Sequence, residues 1–162
     1  MAPALEGASE LGIRAATERD LDALVALLGL LFALESDFTP DPDRQRRGLA
    51  AMLADPPSRT VLVAERGGAV IGMATAQLVV STAEGGPSAL VEDVVVTAPE
   101  RGRGVGRRLL GALETWAAAR GASRLQLLAD RENAPALRFY QRLGWRPTQL
   151  VCLRRHPGGS GG

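Results

Sequence analysis

Apolar positions recur along this chain with two periods. Leu21, Leu24, Val25, Leu28, Leu31 and Phe32 fall at helical spacing and predict one helix with a single apolar face, and Thr17 followed by Asp20 gives it a capping-box-like start. Pro40 and Pro42 interrupt the next segment, ESDFTPDPDRQ. A second short helix is predicted from about Asp43 to Asp55, where Pro56 and Pro57 stop it. LGIRAAT, residues 11–17, reads as a first strand weakened by its alanines. TVLVAER and AVIGMATAQLVV read as two strands joined by a tight turn at Gly67 and Gly68. STAEGGP is a loop, and SALVEDVVV a further strand with Glu92 and Asp93 set in a hydrophobic run. After RGRGVG a helix runs to about Arg120, with Val105, Leu109, Leu113 and Trp116 on or near one face and Gly121 at its end. SRLQLLA, residues 123–129, is predicted as a strand, NAPALRFYQRL as a short helix stopped by Gly144, and WRPTQLVCLRR as a last strand or strand pair.

The order is therefore β, α, α, β, β, β, α, β, α, β. A central antiparallel hairpin followed by a β-α-β unit implies an α/β fold: a mixed sheet with helices on both faces. Residues 11–155 are expected to form a single domain, residues 1–10 a flexible N-terminus, and residues 156–162 a flexible Gly/Ser-rich tail that is either a linker or a tag remnant. With 162 residues and 46% hydrophobic content the chain can build one continuous core.

Nineteen Lys plus Arg against eighteen Asp plus Glu give a formal charge of +1, so no whole-molecule field favours nucleic acid or an anionic membrane as partner. No stretch approaches the roughly 20 apolar residues that span a bilayer, which makes cytoplasm the default location. The single cysteine, Cys152, excludes an internal disulfide, and VCL reads as a buried strand segment. With His156 the lone histidine, and in the tail, neither a zinc site nor a hydrolytic triad is indicated, and no metal is expected.

RGRGVG, residues 101–106, lies between a strand and a helix. Helical N–H groups at that junction lack intrahelical acceptors and sit at the positive end of the helix dipole, so an anionic phosphate fits there. Gly102, Gly104 and Gly106 would let backbone approach a ligand closely, while Arg101, Arg103, Arg107 and Arg108 add charge that a helix turn cannot aim at one ligand. The GK[ST] ending of a triphosphate loop is missing, and the spacing is GxGxG rather than the GxGxxG of a dinucleotide site. Taken alone, the hexapeptide suits either a phosphate site or a glycine turn with solvated arginines.

EDVVVTAPERGRGVGRRLLGALE followed by LLADRENAPALRFYQRLGW resembles the GNAT superfamily of acyl-CoA-dependent acetyltransferases, over residues from about Thr60 through Val151. The likeness is carried by Arg101, Gly104 and Gly106 in an Arg-x-x-Gly-x-Gly loop, and by Asn133, Ala136, Phe139 and Tyr140 ahead of Gly144 and Trp145. It implies a mostly antiparallel, twisted sheet whose central strands, Ala89 to Val96 and Ser123 to Ala129, splay apart around acetyl-CoA. Backbone of Val94, Val95 and Val96 would pair with the pantetheine arm and supply oxyanion stabilisation. N–H groups of residues 103–108, Val105 included, would hold the pyrophosphate. Asn133 would contact the cofactor or organise its loop, with Ala136 and Phe139 flanking the cofactor. Coenzyme A would be the product. The resembling family often dimerises, so a homodimer is among the implied states.

For acetyl transfer to a primary amine by direct attack, the acceptor must lose a proton and a thiolate must leave. The resemblance places Tyr140, the only tyrosine, beside the leaving sulfur as general acid; packing is the alternative for its ring. Glu92 is the general-base candidate, directly or through one water, because a carboxylate in an apolar strand has its pKa raised; a structural salt bridge is the equal alternative. Asp93 is expected to face the other side of the sheet unless a bulge changes the phase. Phe32, Glu35, Asp37 and Phe38 lie where the family builds its acceptor wall and, with Glu92, suit a cationic amine: a small molecule, or a lysine or N-terminal amine of a peptide. Asp41 and Asp43 are as readily helix caps. The competing reading is an acyl-CoA-binding or regulatory module without turnover. A nucleic-acid-binding role for RGRGVGRR lacks an aromatic platform.

Overall fold

The computed structural model describes residues 9–35 and 37–158. They fall into two compact units, one ending at Leu127 and one beginning at Leu128. The first unit holds a sheet of β1 (Leu11–Ala15), β2 (Arg59–Arg66), β3 (Ala69–Ser81), β4 (Gly86–Val96) and β5 (Leu125–Leu127), in that spatial order. Neighbours pair antiparallel from β1 through β4, and β4 pairs parallel with β5. The expected mixed, mostly antiparallel α/β sheet is present. The predicted 1–10 and 156–162 termini fall largely outside the described residues.

Helices α1 (Leu21–Leu34) and α2 (Pro42–Leu53) cover one face, and α3 (Val105–Ala118) covers the other. The first face is an apolar layer in which Leu24, Leu27, Leu28 and Leu49 pack on Val61, Val63, Met73 and Val95. On the second face Val105, Leu109, Leu110, Leu113 and Ala117 are buried, as the helical spacing predicts. Gly72 allows α3 to settle this closely. A Cβ there would meet the Val95 carbonyl at 3.1 Å, Leu109 at 3.3 Å and Val105 at 3.4 Å. Trp116 is half-buried and carries the Arg120 guanidinium 4.6 Å above its ring.

At the sheet edge Arg14 joins β1 to the turn before α1. Its guanidinium donates to both Asp20 oxygens, at 2.8 and 2.9 Å, and to Glu65 of β2 at 2.7 Å. The Thr17 N–H also donates to Asp20, at 2.7 Å, as the capping-box spacing anticipates. Hydrogen bonding by Arg14, outweighing the opposing effect of burial, holds the Asp20 carboxyl down to about 2.

Beyond Leu127, the second unit contains α4 (Ala134–Arg142). Its chain reverses at Gly144, φ 90°, where the Trp145 N–H returns to the Tyr140 carbonyl at 3.0 Å. The predicted last strand, residues 145–155, does not form. Leu150, Val151 and Leu153 are exposed, as is Cys152, which the pattern had placed in a buried strand. An apolar run becomes a strand only beside a neighbour that takes its N–H and C=O groups. No strand pairing of this run is present among the described residues, and Pro147 removes one donor. The fifth strand is also shorter than SRLQLLA suggests, three residues in place of seven.

Asp20→Asn is expected to destabilise the fold by about 1–2 kcal/mol at pH 7, discounted for the partly exposed Arg14. Because the folded pKa is depressed, this contribution is present above about pH 4 and lost as pH falls toward 2. Urea unfolding of both proteins at pH 7 and pH 3 checks it: the gap should narrow at the lower pH.

Candidate active site

The site starts from an irregularity in β4. Ala76 pairs with Val91 and Ala74 with Val94, so Glu92 and Asp93 together oppose the single residue Thr75. Such a bulge breaks the strict alternation of side chains. The Thr75 hydroxyl donates to Asp93 Oδ2 at 2.9 Å and accepts from the Asp93 N–H at 3.1 Å. Gln77 Nε2 donates to Glu92 Oε2 at 3.4 Å. Thr75 and Gln77 follow Met73 at two-residue intervals, so both carboxylates stand on the sheet face that α1 and α2 cover. The plain-alternation expectation, which sends Asp93 across the sheet, therefore gives way to the bulged one.

The two carboxylates differ in setting. Glu92 is exposed, whereas Asp93 is half-buried. Burial pushes the Asp93 carboxyl up to about 6; the Thr75 hydrogen bond opposes this and the neighbouring Glu92 charge adds to it. Pairing of β4 with β5 ends at Val91 opposite Leu127, immediately before the bulge. From Glu92 to Val96, then, β4 is paired with β3 alone, and this includes the Val94, Val95 and Val96 backbone assigned to the cofactor arm.

The glycine loop is built for close backbone approach. Gly102 and Gly104 have φ of 72° and 82°, a region that L side chains rarely enter. Gly104 is the N-cap of α3, and no side chain caps this helix, whereas Asp41 caps α2 and Asn133 caps α4. The first helical bond runs from Arg108 N–H to the Gly104 carbonyl at 3.1 Å. The donors that lead into α3, Val105, Gly106 and Arg107, precede that bond and lack intrahelical acceptors.

Most of the loop's arginine side chains serve other purposes. Arg101 Nε donates to the Val96 carbonyl at 3.0 Å and Arg108 Nη1 to the Leu11 carbonyl at 2.6 Å. Arg103 pairs with Glu100 at 3.4 Å, and Glu100, largely buried, also pairs with Arg66 of β2 at 3.3 Å. Arg107 is exposed and makes no side-chain hydrogen bond or ion pair among the described residues. Sequence spacing cannot distinguish an arginine that meets a phosphate from one that ties two strands together.

Around the end of α1, Phe32 and Phe38 stack with ring centroids 5.1 Å apart. Glu35 follows the helix half-buried and Asp37 is exposed. Asp41 Oδ1 accepts from the Arg44 N–H at 3.1 Å, so Asp41 is the helix cap that its position also allowed. In the second unit Asn133 Oδ1 accepts from the Ala136 N–H at 3.2 Å and thereby starts α4. Tyr140 packs against Phe139, centroids 5.3 Å apart, and edge-on to Trp145 at 6.1 Å. Thr75 is the site residue that the hydrophobic pattern passes over. Its signal was a hydroxyl in an otherwise apolar strand.

Past Val91 the fourth strand has no β5 partner, and in the same unit α3 starts without a side-chain cap behind two left-handed glycines. Residues 26–145 match the Acetyltransferase (GNAT) family. The chain is 32% identical over 138 residues to the aminoalkylphosphonate N-acetyltransferase of Salmonella typhimurium strain LT2, covering 85% of this chain and 86% of that protein. It is 30% identical over 149 residues to the aminoglycoside N(6')-acetyltransferase type 1 of Stenotrophomonas maltophilia, covering 90% and 92%. A solved aminoglycoside N-acetyltransferase in complex with CoA shares the fold with a TM-score of 0.80 at 23% identity, over 94% of this chain and 99% of that one. The chain belongs to the GNAT acetyltransferase family and is an acyl-CoA-dependent N-acetyltransferase.

Two loop variants follow from this geometry. Gly104→Val forces a branched side chain into left-handed backbone at a cost of about 1–3 kcal/mol, and CoA affinity measured by calorimetry should fall at least about tenfold. Arg107→Ala should weaken CoA less, by about two- to tenfold, with unchanged thermal stability, as befits a side chain engaged elsewhere in no contact. Normal affinity in Gly104→Val would contradict the placement of the anion site.

Proposed function

We propose that the protein transfers the acetyl group of acetyl-CoA to a primary amine of a cationic small molecule by direct attack. The observation that carries this reading is the N-terminus of α3, whose first donors have no side-chain cap to satisfy them. Gly102 and Gly104 give a diphosphate room to reach those donors, and the N–H groups of Val105, Gly106 and Arg107 would hold it. Acetyl-CoA supplies the activated acyl thioester. Val94, Val95 and Val96 lie in the part of β4 without a β5 neighbour, where backbone can engage an extended arm and polarise the acyl carbonyl.

The acceptor is drawn in as a cation. Glu92, exposed on the α1–α2 face, and Glu35 and Asp37 at the end of α1 supply carboxylates for an ammonium group, while Phe32 and Phe38 offer apolar surface. The related enzymes named for aminoalkylphosphonate and aminoglycoside acetylation support a small amine over a peptide. One of the β4 carboxylates takes the ammonium proton, and Tyr140 donates to the departing sulfur.

The test is acetyl-CoA-dependent thiol release over a panel of aminoglycosides, aminoalkylphosphonates, polyamines and peptides, with the product identified by mass. Release with no member, alongside demonstrated CoA binding, would favour a module without turnover. Tyr140→Phe should keep CoA affinity and lower kcat about 10- to 100-fold; an unchanged kcat with chemistry limiting would remove the acid role.

A further inference from the structure

We propose that two copies of this chain associate through the outer face of α1, packed antiparallel about a two-fold axis at Leu30, with the acidic 35–41 link of each copy set against the basic outer face of the other's α2.

The starting point is a helix with too little polarity for its position. α1 has one polar side chain in fourteen residues, Asp22, and its outward positions Ala26, Leu30, Ala33 and Leu34 are all apolar and exposed. Leu30 is 47% exposed, Leu34 61%, and Phe38, just past the helix, 42%. Helices that cover a sheet ordinarily turn charge outward. α2 and α3 obey this: Arg44, Arg46 and Arg47 are exposed on α2, and Arg107 and Glu114 on α3. On α1 the exposed residues recur at helical spacing and so form one stripe. A continuous apolar stripe marks a site of association, whereas scattered surface leucines do not.

The charges beside the stripe identify its occupant as a second copy. Asp22, at the start of α1, pairs with Arg46, which fixes the basic face of α2 alongside that end of the helix. Glu35, Asp37 and Asp41 follow the other end. Asp37 and Arg47 are both exposed, and neither makes an ion pair among the described residues. In an antiparallel pairing, α1 of one copy ends over the start of α1 in the other, so the acidic link meets Arg46 and Arg47 at both ends of the seam. A parallel pairing would set acid on acid and base on base.

Shape agrees with charge. With Leu30 on the axis, Ala26 of each copy opposes Leu34 of the other, and large side chains face small ones. Phe38 is carried to the start of the second copy's α1, beside a cavity of about 270 Å³ whose walls include Ala16, Leu21, Ala50 and Leu53. The same patch serves both copies, so the contact closes at two. Asp37 and Phe38 also belong to the proposed acceptor wall, and each copy therefore borders the other's acceptor entrance.

Sedimentation velocity of the full chain over about 2–200 µM should show a monomer–dimer equilibrium. Leu30→Glu and Leu34→Glu should each weaken it at least about tenfold, with thermal stability unchanged at concentrations where all the proteins are monomeric. Asp37→Arg and Arg47→Asp should each weaken association, and the two together should restore it, which a general loss of surface complementarity does not do. In a Cys152→Ser background, oxidation of Leu30→Cys should give a disulfide-linked dimer, because the axis brings residue 30 of both copies together. Leu34→Cys, opposite Ala26, should not. A chain that stays monomeric to the top of the range overturns the proposal. So does a dimer that survives both glutamate substitutions, or one that links through residue 34 and not through residue 30. Acetyl transfer by such a monomer would remove this interface and leave the proposed function standing.

Discussion

The candidate site depends on one extra residue in one strand. With Glu92 and Asp93 both opposite Thr75, β4 is out of phase with a regular ladder, and side chains that would straddle the sheet share the α1–α2 face. The parallel pairing with β5 stops at the residue before the bulge, so the same distortion coincides with the opening of the sheet. A polar pair in the sheet and a stretch of β4 without a β5 partner are thus two aspects of one departure from regularity. The Leu24–Leu28 layer presses from one side and α3, seated on Gly72, from the other.

The arginine-rich loop shows a division between backbone and side chain. Ordinary carbonyls and a carboxylate engage Arg101, Arg103 and Arg108, which fasten the loop to β4, to the 98–100 turn and to β1. The loop conformation is therefore set before any ligand arrives, and its peptide N–H groups are presented by a rigid frame. Preorganised donors of this kind lose little on binding because nothing need be reordered. The cationic composition of the hexapeptide is better explained by this fastening than by attraction to phosphate.

Much of this was legible in the sequence, and the failures share a cause. α1 and α3 followed from periodicity, the β2–β3 hairpin from its diglycine, and α4 from Asn133 and Gly144, because each is encoded by neighbours in the chain. The bulge was foreseen only as an exception: period-two alternation carries no mark of an inserted residue, and the partner that reveals it, Thr75, lies 18 positions away. The segment around Leu150 misled for the complementary reason. Its composition suits a strand, but a strand is a relation between two segments, and composition describes one.

Asp93 also makes the stability of the fold depend on pH. Its folded pKa, about 6, lies above the ordinary 3.8, so the native state holds the proton more tightly than the unfolded chain does. As pH rises from about 4 to 6 the fold loses free energy of stabilisation, on the order of 2–3 kcal/mol once the carboxyl is ionised. Once the carboxyl is ionised the fold is least stable around it, and a neutral isostere would make a sturdier molecule. Its half-buried place at the bulge is thus a standing cost to the fold that grows as pH rises.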